Sequence, residues 1–167
     1  MSKSKIHWYK YAAPVNFYPL AGKMIPFFTG LTIILFAIGL YMSFFVAPVD
    51  FQQGHSYRII FIHVPAAWMG VFLYVLMAIY AGIGWAFNGR LASMMATAIA
   101  PTGAIFTFIS LVTGSLWGKP AWGVFWVWDA RMTSTLILMF LYIGFISLQS
   151  SIDDTRRADR AGAILAL

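Results

Sequence analysis

The chain has no cysteine and no glutamate, and only five aspartates among its 167 residues. Without cysteine there is no disulfide framework, and haem cannot be held on this chain through thioether bonds. Charged residues make up only 10% of the sequence against 61% apolar, where soluble domains carry ~25% charged and ~45–50% apolar. A chain this small cannot hide that much apolar surface from water, and mean hydropathy is +0.80. Aromatics at 18% exclude disorder, which needs few of them. There is no nucleophile–base pair, no paired carboxylates and no phosphate-binding glycine loop. Without a Walker motif the chain cannot hydrolyse ATP by the usual design, so any ATPase is a separate subunit.

What is present is long apolar runs. Charges bracket uninterrupted stretches at 24–49, 59–89, 91–118 and 132–152. A membrane helix needs about 20 apolar residues, so all four qualify. The expected spans lie near 25–47, 64–86, 92–115 and 131–149. The fold class is therefore all-α, a polytopic transmembrane helical bundle in one membrane domain over residues 1–167. The first run starts after Lys23 and outruns the ~7–15-residue core of a signal peptide. After the charged segment 150–160, an apolar stretch from about 161 to Leu167 is expected to begin a fifth span. It is too short to cross the ~30 Å core of a bilayer, so the chain is expected to be C-terminally truncated.

The net charge of +6 points to anionic lipid rather than nucleic acid, because of where the charges fall. With the N-terminus inside, Lys3, Lys5, Lys10, Lys23, Arg90, Arg156, Arg157 and Arg160 face the cytoplasm, and Arg58, Lys119 and Arg131 face out. This asymmetry sets the expected orientation, in which segments 48–62 and 116–130 share the outer face. On the third span Ala92, Ala96, Ala100 and Ala104 form one small stripe, and Gly103, Thr107, Ser110 and Gly114 another. Both read as close helix packing. Pro101 is expected to kink that span, either shaping a cavity or merely bending the helix.

The densest chemical signal is the tract Trp117 to Arg131, which holds Trp117, Trp122, Trp126 and Trp128. Interfacial anchoring explains tryptophan at a membrane boundary, but a belt spreads over several helix ends and this is one Gly- and Pro-punctuated loop. Rigid indole faces suit a large flat ligand: a porphyrin, a quinone or a lipid. On the same outer side His63 precedes Pro65, which fits the first turn of the second span. His63 reads either as an iron ligand or as a cap bonded to a neighbouring loop. His55 has no helical frame, and His7 lies on the cytoplasmic tail. Arg58, Lys119 and Arg131 could pair with carboxylates such as propionates or simply snorkel. Asp129 fits as N-cap of the fourth span, or as a group orienting an arginine or an indole N–H.

The run Trp117–Ser134, with Gln52-Gln53-Gly54, Tyr57-Arg58-Ile59-Ile60 and His63-Val64-Pro65-Ala66-Ala67, resembles the tryptophan-rich WWD haem-handling membrane proteins, and within them the cytochrome c maturation protein C (CcmC, haem exporter protein C) family. The resemblance extends from about residue 15 to the end. It implies six membrane helices, haem b held without covalent bonds at the periplasmic face of the bacterial inner membrane, and two axial histidines. The first maps onto His63; the second falls beyond Leu167. The WWD tract maps onto Trp117–Asp129, with Phe125 where relatives often carry tryptophan. The implied partners are the ATP-binding cassette subunits CcmA and CcmB, the small subunit CcmD and the periplasmic haem chaperone CcmE. The implied role is haem binding and transfer during c-type cytochrome biogenesis, not enzymatic turnover, with possible help in covalent attachment on the chaperone. The alternatives are a structural or permease subunit whose tryptophans are anchors, or a quinone-site subunit.

Overall fold

The computed structural model describes residues 8–167, with side chains from Lys10 onward. The expectations on Lys3, Lys5 and His7 lie outside the described residues. Five α-helices and no strand occur among those described: α1 (Pro14–Tyr41), α2 (Ile60–Phe87), α3 (Arg90–Trp122), α4 (Ala130–Ser151) and α5 (Thr155–Ala166). The first four helical segments are long and apolar enough to cross a membrane, as the four charge-free runs predict. The protein is a helical membrane protein.

The chain divides into two compact units, 1–46 and 47–167. In the first, Pro14 occupies the opening turn of α1, where a missing N–H costs nothing. At its far end α1 widens into a π-turn over Met42–Val46, and the Ser43 hydroxyl donates to the Gly39 carbonyl at 2.6 Å. Tyr41 and Phe45 stack there with ring centroids 5.6 Å apart.

The second unit is built on the hairpin of α2 and α3. Asn88 ends α2 in the left-handed region at φ 51°, and Gly89 starts α3 directly. Backbones come close because small residues face each other, the main route to helix association in lipid. A side chain on Gly70 would meet the Thr107 hydroxyl at 2.8 Å, and one on Gly84 would overlap Ser93. Ala96, Ala100 and Ala104 are buried, as are Gly103, Thr107 and Ser110. Both stripes on this helix therefore pack. α4 crosses the hairpin through Tyr142, fully buried, whose ring fills the space above Gly103 and whose hydroxyl donates to the Gly70 carbonyl at 2.8 Å. α5 is capped by Asp154, whose carboxylate accepts from the Arg156 and Arg157 N–H groups. It buries Ala158, Gly162, Ala163 and Ala166.

Four boundaries differ from the sequence expectation. α1 begins at Pro14 rather than near 25, because the charge at Lys23 limits the apolar run but does not interrupt a helix. α2 begins at Ile60, because the 3-10 turn His55–Ile59 runs straight into it. His63 is thus inside the first turn rather than before it, and Pro65 lies in the second. α3 continues through Pro101 and Pro120 to Trp122, so Trp117, Lys119 and Trp122 ride on helix and not on a loop. It stops where Gly123 takes φ 80°, a value glycine adopts without penalty. The last helix begins at Thr155 rather than about 161, since Asp154 caps it.

Candidate functional site

The site assembles at the end of the second unit where α2 starts and α3 finishes. The segment ahead of α2 is pinned by its own polar groups. The Asp50 carboxylate accepts from the Gln52 and Gln53 N–H groups at 2.9 and 2.7 Å, and Gly54 turns the chain at φ 58°. The Tyr57 hydroxyl donates to the Pro48 carbonyl at 2.7 Å, and the Arg58 guanidinium to the Ala47 carbonyl at 2.9 Å. A side-chain bond ties this loop to the end of α3. The Trp117 indole N–H donates to the Gln53 side-chain oxygen at 2.6 Å.

His63, half-buried, faces α3. Its Nδ1 lies 3.0 Å from the Thr113 hydroxyl oxygen. That hydroxyl has a single hydrogen and two backbone carbonyls in reach, Ile109 at 2.6 Å and Ser110 at 3.3 Å. With the hydrogen assigned to the nearer carbonyl the oxygen accepts, and this assignment puts the proton on Nδ1 and leaves Nε2 with the free lone pair. The imidazole fits because residue 114 is glycine. A β-carbon there would stand 3.0 Å from His63 Cε1. Trp117 packs edge-on to the imidazole at 5.8 Å between centroids.

A cavity of about 150 Å³ opens beside His63, walled also by Gly114, Trp117, Trp122, Arg131 and Thr135. A second, of about 330 Å³, shares Trp122, Arg131 and Met132 with it and adds Phe125, Val127 and Asp129. Arg131 sits over the Trp122 ring at 4.9 Å and is held from the other side by Asp129 at 3.0 Å. Asp129 also caps α4, accepting from the Met132 N–H at 2.7 Å. That backbone bond, and then the nearby Arg131, hold its carboxyl below the usual carboxylate range. Both roles considered for Asp129 are thus filled at once.

The structure brings His63, Trp117, Trp122, Asp129 and Arg131 to one place. Trp126 and Trp128 pair edge-on at 5.3 Å, but neither lines the two cavities. Trp128 is 76% exposed. Among the described residues no acceptor meets the buried indole N–H of Trp126, a donor available to a ligand. Lys119 and Arg58 also lie outside the cavity walls. Lys119 is tied to the Gly123 carbonyl at 2.9 Å and lies over Phe125 at 5.4 Å. His55 is exposed.

Sequence reasoning missed Thr113 and the second role of Gly114, and it singled out Gln53 only as part of a motif, without its bond to Trp117. Gly114 was visible as one member of a packing stripe, and only its position opposite His63 distinguishes it. Among the described residues no group of three or more His, Cys, Asp or Glu side chains could hold a bare ion. The arrangement offers one imidazole nitrogen, flat indole walls, a cation and an indole donor, a set suited to a planar ligand that brings its own metal and negative charge.

Residues 7–167 match the family described as CcmC, Heme exporter protein C. The chain is 49% identical over 156 residues to Heme exporter protein C of Escherichia coli K12, covering 93% of this chain and 64% of that protein. It is 47% identical over 156 residues to the protein of that name in Bradyrhizobium diazoefficiens, covering 93% and 59%. It is 35% identical over 159 residues to the one in Rhodobacter capsulatus, covering 95% and 66%. The chain therefore spans somewhat under two thirds of the length of these relatives.

Proposed function

The chain belongs to the Heme exporter protein C family, and from that premise we propose that it binds haem at the His63 end of its bundle and passes it to a soluble acceptor. The observation that carries this reading is the Nδ1 contact of His63 with Thr113, which leaves Nε2 as the ligating nitrogen. A hydrogen-bonded partner on the other ring nitrogen, which sets the tautomer, is usual for metal-binding histidine. Haem is cargo here. When bound, it supplies an iron that accepts a ligand and two carboxylates that need cations.

The protein's own residues do the rest. His63 would hold the iron through its free ring nitrogen. Trp117 and Trp122 offer apolar faces to the macrocycle. Arg131, already stacked on Trp122, neutralises one propionate. Trp126 and Trp128 extend the aromatic surface outward, towards an incoming acceptor. The smaller cavity falls below the ~300 Å³ of ordinary ligand pockets, so a macrocycle would need the adjoining second cavity as well. A shallow, open seat suits transfer, because contacts can be exchanged one at a time. Arg58 and Lys119, tied to backbone carbonyls, organise the rim instead of meeting carboxylates.

With no cysteine in the sequence there is no thioether attachment to it, and the family resemblance implies haem b held without covalent bonds. The charge asymmetry supports a cytoplasmic N-terminus and a periplasmic His63 end in the bacterial inner membrane. The acceptor is a periplasmic haem chaperone, CcmE by family resemblance. The ATP-binding cassette subunits CcmA and CcmB and the small subunit CcmD are the membrane partners. The role is binding and handover within c-type cytochrome biogenesis rather than catalysis.

The test is absorbance. The purified protein, supplied with haem, is expected to show a Soret band that moves or fades in His63→Ala. An unchanged band in that variant defeats the proposal and favours tryptophans that serve only as interfacial anchors.

A further inference from the structure

The opposite end of the second unit carries a different chemistry. From His63 to Gly84, α2 rises about 30 Å, and there a cavity of about 280 Å³ opens between α2, α3 and α5. Its walls include Arg90, Arg156 and Arg160 against a single acid, Asp159. Asp159 is taken by Arg90 at 2.8 Å. Among the described residues no carboxylate pairs with Arg156 or Arg160, while Arg157 beside them points to Asp154 at 3.6 Å. The cavity thus keeps a surplus of positive charge on two guanidinium groups.

A second observation is independent of charge. Ser93 lines the same cavity and is only 9% exposed, and among the described residues no partner takes its hydroxyl. Trp85 forms another wall at 49% exposure, and an indole favours the boundary where headgroups meet hydrocarbon. Next to Asn88, Phe87 is 79% exposed, apolar surface on which an acyl chain can lie.

We propose that this cavity binds the phosphate of an anionic phospholipid headgroup. The anion lies between Arg156 and Arg160, whose planar forks match phosphate oxygens, and the Ser93 hydroxyl donates to it from below. Free phosphate shares that chemistry, but Trp85 and Phe87 favour a source that also carries hydrocarbon.

The test is native mass spectrometry of the full chain equilibrated with equal amounts of phosphatidylglycerol and phosphatidylcholine. The wild-type protein is expected to retain phosphatidylglycerol preferentially. The double variant R156Q/R160Q should lose the preference by roughly five-fold for each arginine removed, and Ser93→Ala by less. Arg157→Gln, which leaves the cavity wall intact, should keep it. Equal retention of the two lipids by the wild type overturns the proposal. So does an undiminished preference in R156Q/R160Q, or a loss in Arg157→Gln as large as in R156Q/R160Q, which would mean that only overall charge matters. If inorganic phosphate displaces phosphatidylglycerol completely, the site is one for free phosphate and the lipid assignment fails.

Discussion

The His63 imidazole and the Thr113 hydroxyl, fifty residues apart in the chain, meet at 3.0 Å across the α2–α3 contact. With the hydroxyl hydrogen assigned to the Ile109 carbonyl, the contact holds one tautomer. Thr113→Val keeps the shape and removes the acceptor. Haem affinity is expected to fall by roughly ten-fold or more, as for other outer-shell partners of metal-bound histidine. The Soret maximum should shift, while the circular dichroism of the helices stays as it is. Titration of haem into the two proteins, followed by absorbance, checks this.

Gly114 provides the room for that imidazole. In Gly114→Ala the new methyl stands 3.0 Å from His63 Cε1, so the ring must give by a few tenths of an ångström. The expected result is a weaker, shifted Soret band in a folded protein, with a larger loss in Gly114→Val. A band identical to wild type in both variants shows that the ring is not held there.

The buried crossing of α4 is testable apart from ligand. Tyr142→Phe removes the hydroxyl bond to Gly70 and is expected to cost about 0.6 kcal/mol, with an upper range near ~1.7, the scale of interhelical hydrogen bonds in membranes. Gly103→Val puts a side chain where the Tyr142 ring lies and should cost ~1–3 kcal/mol by overpacking. Denaturation of the detergent-solubilised protein, followed by circular dichroism, ranks the two.

Asp129 gives the aromatic rim a pH dependence. Its carboxyl is held below the ordinary value by the Met132 N–H bond first and the Arg131 charge after it. A depressed folded pKa contributes stability that is present above the unfolded value, 3.8, and is lost as pH falls through the folded one. Acidification below that point is therefore expected to fray the first turn of α4 and free Arg131 from its carboxylate partner. The neighbouring tryptophans report this by fluorescence. Asp129→Asn, which keeps a capping oxygen but cannot ionise, should remove the acid transition, with Asp154→Asn as a control for the equivalent cap on α5.

Span number was legible because it depends on one-dimensional quantities. Charge spacing and apolar length decide whether a segment can cross a bilayer, and four runs gave four spanning helices. Small-residue stripes on the third span likewise announced packing, since a side chain on Gly103 leaves no space for Tyr142 of the facing helix. Helix ends were harder. The Gly- and Pro-rich look of Trp117–Gly123 suggested a loop, yet α3 runs on to Trp122. A proline costs a helix one bond, and glycine at 118 is needed where the Val124 carbonyl would approach a β-carbon to 2.9 Å.

The sequence by itself determined that this chain lives in a membrane and which segments are fit to span it, and it singled out one histidine and a tryptophan tract as the candidates for its chemistry. All of that follows from composition and from residues near one another in the chain. Only the tertiary structure decided which cations flank the cavity, which ring nitrogen is free and which small residue makes room for it. Those outcomes depend on contacts such as Gln53 with Trp117 and His63 with Thr113, between residues separated by fifty or more positions. No local pattern encodes such a pairing, because it is the close approach of two helices that brings the groups within bonding distance.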